Sequence, residues 1–155
     1  MSIYLDNAAT SFPKPESVYA EQDHAARNYG ANPGRGSYGI ARMAAQTMAA
    51  TRETIADFFN IPSSSRIAFT LNATQGINTA LCGLLEPGHR VVTTSMEHNA
   101  VVRPLYHLQR HGVEVLKVTA NAQGLVAPAA ICNACRDATT KMVVMTHCSN
   151  VTGSI

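Results

Sequence analysis

From residue 90 onward the apolar positions fall into short β-branched runs, and before it they fall mostly at helical spacing. The runs 90–94, 113–119 and 141–146 read as strands, and an earlier one, 66–70, reads the same way. Helices are expected over 16–29, ended by Gly30, and over 38–59, stopped by Asn60-Ile61-Pro62-Ser63. In the longer one Ile40, Met43, Ala44, Thr47, Met48, Ile55, Phe58 and Phe59 fall mostly one turn apart, and alanine is abundant. Three more helices are expected over 74–85, 99–110 and 128–137, with Pro104 in the first turn of its helix or at a bend. Strands alternating with helices predict an α/β fold, a mostly parallel sheet with flanking helices on both faces. Ligands of such sheets bind beyond the carboxyl ends of the strands.

Composition narrows the classes. Of 155 residues 46% are apolar and 14% charged, which suits a buried interior and excludes a disordered chain. The formal charge of +2 is spread along the sequence without a Lys/Arg run, so neither nucleic acid nor a membrane surface is expected as a partner. No apolar stretch of about 18 residues offers a membrane span. The opening Ser2-Ile3-Tyr4-Leu5-Asp6 reads as a mature cytoplasmic start rather than a signal peptide. The four cysteines, Cys82, Cys132, Cys135 and Cys148, are therefore expected as free thiols. Cys132-x-x-Cys135 with His147 and Cys148 invites a zinc reading. The helical setting of the first pair and the adjacency of the second argue against it, so no metal site is expected and small buried thiols on a helix face are.

Three polar clusters follow expected strands. Leu71-Asn72-Ala73-Thr74-Gln75-Gly76 opens a helix whose free N–H groups favour an anion, with Thr74 as an added donor; plain capping by Asn72 or Thr74 is the alternative. In Ser95-Met96-Glu97-His98-Asn99-Ala100, His98 can lie against an aromatic ring and carry protons, or simply cap a helix, with Glu97 a helix-terminal carboxylate without chemistry. In His147-Cys148-Ser149-Asn150, the Asn150 amide can donate to a ring hydroxyl or close an Asx-turn. Their gathering at one sheet edge is the stronger signal.

Taken with Tyr4-Leu5-Asp6-Asn7-Ala8-Ala9-Thr10, Asn32-Pro33-Gly34-Arg35-Gly36 and Ser149-Asn150-Val151-Thr152-Gly153, these segments resemble, in order, the cysteine desulfurase and selenocysteine lyase-like family of the class V aminotransferases. The resemblance implies the N-terminal part of a fold-type I transferase large domain that binds pyridoxal 5'-phosphate. It implies that Ala73 and Thr74 contact the cofactor phosphate, that His98 stacks on the pyridine ring and serves as the catalytic proton carrier, and that Asn150 bonds the ring's 3-hydroxyl oxygen. Asn7 to Thr10 and the Arg35 loop would lie near the active-site mouth. The activity implied is conversion of L-cysteine to L-alanine with sulfur passed to an enzyme cysteine, in a homodimer that serves a sulfur acceptor protein.

The sequence also departs from the family's pattern. Its lysines, Lys14, Lys117 and Lys141, match no cofactor-anchoring position, and its cysteines match helix or strand-end positions, not the family's nucleophile. The expected organisation is an N-terminal segment, 1–37, and an incomplete cofactor-binding domain, 38–155, with the small domain absent. By itself such a chain is expected to be inactive and to bind the cofactor weakly at most. The alternatives are a non-catalytic remnant that binds a phosphorylated ligand or an intact homologue, and a class V aminotransferase of other specificity.

Overall fold

The computed structural model describes residues 3–154; Met1 and Ser2 of the expected cytoplasmic start and Ile155 of the last loop lie outside them. The chain divides into two compact units, one ending at Ala68 and the other beginning at Phe69.

Two helices dominate the first unit, α1 (Glu16–Asn28) and α2 (Gly39–Phe58). Glu16 places a carboxylate at the positive end of α1, and Arg27 in its last turn pairs with Asp23 at 2.7 Å. The residues α2 buries are all alanines, Ala41, Ala44 and Ala56, small enough for close backbone approach. At Gly36 that approach is closest, since a Cβ there would lie 2.3 Å from the Ala41 Cβ. Beyond α2 the Ser63 hydroxyl accepts the Ser65 N–H and winds Ser64–Arg66 into a 3-10 turn. The strand expected over 66–70 therefore does not form. Arg66 belongs to the turn, and among the described residues 67–70 pair with no strand.

The second unit is a three-stranded parallel sheet with helices, in the chain order α3 (Ala73–Leu84), β1 (Arg90–Thr94), α4 (Asn99–Gln109), β2 (Glu114–Val118), α5 (Pro128–Ala134) and β3 (Thr140–Val143). The strand order is β2-β1-β3, which leaves β1 in the centre with a parallel partner on each edge. Leu81, Leu85, Val91, Val101, Leu105, Leu108 and Val113 form the core, joined by Ile77, Val115, Met142 and Val144. Helix α4 runs unbroken through Pro104, which lies buried within it, past the first turn.

Polar contacts fix the amino ends of the strands. Arg90 donates Nη2 to Glu114 at 2.8 Å and Nη1 to Asp137 at 2.9 Å, so one guanidinium joins β1 to β2 and to the turn before β3. The Thr139 hydroxyl and N–H also donate to Asp137 Oδ1, at 2.5 and 2.8 Å. Helix α5 stops at Ala134 rather than at 137, its end closed by the Arg136 N–H on the Asn133 carbonyl, and Asp137 belongs to the turn that follows. Together the Thr139 bonds and Arg90 hold the Asp137 carboxyl below the usual aspartate value.

Strand β3 is also shorter than expected and is irregular. Thr140 stands opposite Arg90 and Met142 opposite Val91, so Lys141 is skipped in the ladder. Val144 still donates its N–H to Val92 at 2.9 Å, although β3 itself ends at Val143. The buried thiols expected on α5 are not found, since this seven-residue helix buries no residue; Cys132 is exposed and Cys135 half-buried. Among the described residues no group of three or more His, Cys, Asp or Glu is placed to hold a metal, and no helix is long and apolar enough to cross a membrane.

Two measurements check these contacts. Leu81→Ala removes a side chain that is 1% exposed at the centre of the core and should cost about 2–5 kcal/mol in urea denaturation. The depressed Asp137 carboxyl stabilises the fold above the ordinary aspartate pKa, about 3.9, and that stabilisation is lost as pH falls through the lowered value. Urea midpoints followed from about pH 6 to about pH 2 should accordingly fall less steeply for Asp137→Asn than for the parent.

Candidate active site

Each of two helices begins with a side-chain cap that orients the residues after it. At α3 the Asn72 Oδ1 accepts the Gln75 N–H at 2.9 Å, while Gln75 Oε1 accepts the Leu71 N–H at 2.7 Å. This is a reciprocal capping arrangement shifted by one residue. It leaves the N–H groups of Ala73 and Thr74, and the Thr74 hydroxyl, without a partner among the described residues. Free donors at the positive end of a twelve-residue helix suit an anion.

At α4 the cap is His98 itself. Its Nδ1 accepts the Ala100 N–H at 3.0 Å, so in the neutral ring the proton resides on Nε2. The capping bond fixes the ring's orientation and leaves Nε2 as the nitrogen able to exchange a proton with a ligand. The capping reading of His98 is the one this bond shows, and the cap also sets the direction of its ring.

A cleft of about 520 Å³ separates these two helix starts, lined by Thr74 and Asn78 of α3 and by His98, Asn99, Ala100, Arg103, Pro104 and His107 of the α4 segment. Pro104 has no N–H for the Ala100 carbonyl one turn back, so an acceptor is left unpaired by the helix among the lining residues. Arg103 and His107 add basic groups, and none of Lys14, Lys117 and Lys141 lines the cleft.

Two of the four residues singled out from the sequence, Thr74 and His98, thus line one cavity. Ala73 is the first residue of α3, beside Thr74 but not part of the lining. Asn150 is not among the residues lining this cleft and is exposed in the turn after β3. That turn is closed on itself: Ser149 N–H donates to Ser154 O at 2.9 Å and Gly153 N–H to Ser149 O at 2.8 Å. The buried Ser149 Oγ accepts from Val151 and Thr152 N–H, and Gly153 adopts φ of 69°. Asn7 to Thr10 and Arg35 belong to the first unit. The cluster at Asn72 does not follow a strand, contrary to expectation, whereas those at His98 and Asn150 do.

Sequence reasoning singled out neither Arg103 nor His107 of the lining, for which a helical spacing was the only signal, and it also undervalued Glu97. The Glu97 carboxylate, expected to be an idle helix-terminal charge, accepts the Thr94 hydroxyl at 2.5 Å, the Thr146 N–H at 3.0 Å and the Thr146 hydroxyl at 3.0 Å. The available signal was the threonine at the end of two separate strands, each able to donate to a carboxylate.

The sequence matches the family described as aminotransferase class-V over residues 3–155. A probable cysteine desulfurase of Methanothermobacter thermautotrophicus is 37% identical over 154 residues, which cover 99% of this chain and 38% of that protein. Among solved structures, a NifS-like protein superposes with a TM-score of 0.86 at 28% identity, over 97% of this chain and 41% of its own. The protein SspA, solved in complex with cysteine, gives a TM-score of 0.83 at 28% identity, over 96% of this chain and 43% of its own. The chain therefore spans about two fifths of the length of the proteins it is similar to.

The capping geometry is open to a direct check. Asn72→Ala should destabilise the protein by about 1 kcal/mol in urea denaturation, and Asn72→Ser, which keeps a capping oxygen, should remain close to the parent.

Proposed function

Because the chain belongs to the aminotransferase class-V family, we propose that it forms the cofactor-facing part of a pyridoxal-phosphate-dependent cysteine desulfurase. One observation carries the reading: Thr74, with its unpaired donors at the start of α3, and the oriented His98 imidazole border a single cleft, with Ala73 next to Thr74 along the helix. That donor set, two amide N–H groups and a hydroxyl beside an aromatic ring, suits a phosphate monoester attached to a heterocycle. When bound, pyridoxal phosphate supplies an electron sink for charge developing at the amino-acid α-carbon.

The residues of this chain hold and orient. Ala73 and Thr74 bind the phosphate through their N–H groups and the Thr74 hydroxyl. His98 lies against the ring, with Nδ1 engaged by Ala100 and Nε2 left to move a proton. Asn150 donates its amide to the ring hydroxyl oxygen. The substrate proposed is L-cysteine, converted to L-alanine with its sulfur passed to a cysteine thiol of the enzyme and on to an acceptor protein. SspA in complex with cysteine supports that choice. A homodimer is proposed with it, as is a cytoplasmic setting, where the four free cysteines stay reduced. With no lysine among the cleft residues, what these residues provide is non-covalent binding.

Equilibrium dialysis with pyridoxal phosphate tests the site. His98→Ala should raise Kd about three- to tenfold through loss of the ring contact. Thr74→Ala should also weaken binding, and inorganic phosphate should compete. Binding unchanged in both variants, or indifferent to phosphate, would overturn the assignment.

A further inference from the structure

We infer that Glu97 is the positioning residue of this site, holding the turn that carries His98 to the strand end that leads to Asn150. What is positioned depends on the pyridoxal-phosphate reading of the cleft; the holding itself is geometric and independent of it.

In a parallel ladder each flanking strand donates every second N–H to the central strand. Val144 N–H meets Val92 O at 2.9 Å, and in a continuing ladder Thr146 N–H would meet the carbonyl of Thr94. Thr146 N–H goes instead to Glu97 Oε1 at 3.0 Å. The other edge behaves alike. Ser95 N–H donates to Val118 O at 3.0 Å, and Ser95 Oγ then accepts Ala120 N–H at 2.9 Å. Side chains of the turn from Ser95 to Glu97 thus extend the sheet by one hydrogen bond on both sides.

The chemistry of the Glu97 contacts selects a carboxylate. Three donors converge on its two oxygens: the Thr94 hydroxyl and Thr146 N–H on Oε1, and the Thr146 hydroxyl on Oε2. A carboxylate accepts at both oxygens and donates at neither, and charge-assisted bonds are roughly twice as strong as neutral ones. Glutamine could keep the Oε1 contacts but would present an amide to the Thr146 hydroxyl, which can reverse its bond and accept. His98 is the next residue along the chain, and Asn150 lies four residues beyond Thr146. One side chain therefore ties together the backbones that carry both.

Two readouts on Glu97→Ala, Glu97→Gln, His98→Ala and the Glu97→Ala/His98→Ala pair test this. Residue-resolved amide exchange comes first and needs no ligand. Glu97→Ala should lose about tenfold protection at Thr146 and also at Ala100, the amide capped by His98, with Val92 unchanged. Loss at Thr146 alone would sink the inference, because His98 would then be held without Glu97. Pyridoxal phosphate affinity comes second. Glu97→Ala should raise Kd about five- to tenfold and Glu97→Gln by less, and Glu97→Ala should add nothing in the His98→Ala background. Additive effects would mean that Glu97 acts by general stability, against the inference. If the parent protein binds no pyridoxal phosphate, the cofactor reading falls, and the Ala100 exchange still decides whether Glu97 positions His98. Should Glu97→Ala fail to fold, Glu97→Gln reads both quantities with smaller expected changes of the same sign.

Discussion

The site exists because β1 has a parallel partner on each edge. A strand placed so has its backbone N–H and C=O groups taken up on both sides, and α3 and α4 supply core residues that pack with it. Val91 and Val92 are fully buried in consequence. The strand is not free of polarity: the Thr93 hydroxyl is buried in it without a hydrogen-bond partner among the described residues, a cost of about 1–3 kcal/mol. Polar groups with partners gather instead at the strand's end, where the chain leaves the sheet at Thr94 and must turn. The residues of that turn inherit two tasks at once, finishing the ladder and starting α4. Ser95 and Glu97 perform the first, His98 the second.

The two ends of the sheet are locked by charges of opposite sign. At the amino end a cation, Arg90, reaches two carboxylates on neighbouring segments. At the carboxyl end an anion, Glu97, gathers neutral donors from two strand ends. The difference matters for ligands. Carboxylates at the amino end are occupied by a guanidinium, while the donors near the cleft at α3 remain open.

Much of this was legible from pattern. The strand over Arg90–Thr94 was read without error because Val91 and Val92 are flanked by polar turns at Gly88 and Ser95, and the helices at 16, 99 and 128 began where Pro15, His98 and Ala127 precede them. Strand 66–70 misled because its β-branched and aromatic residues satisfy propensity, whereas a strand is defined by a partner that propensity does not reveal. The early ends of α5 and β3 were hidden for a related reason. Asp137 is drawn into a turn by Thr139 and Arg90, and Thr146 is drawn to Glu97, both through side chains distant in sequence or ambiguous in role. Thr74 and His98 could be singled out because helix starts are locally encoded. That they border one cleft is a tertiary fact that no local pattern reveals.

The residue skipped in β3 sets the phase of all that follows it. Counted straight from Thr140 opposite Arg90, the ladder would bring Lys141 beside Val91 and turn an ammonium group toward Leu81 and Leu105. Leaving Lys141 out of step shifts the alternation by one, so that Met142 and Val144 take the apolar side and Lys141 stays in water. The same shift is carried forward along the chain to Thr146. A lysine that touches no part of the cleft thereby acts as a spacer, a single extra count that lets the polar end of one strand arrive in step with the turn of its neighbour.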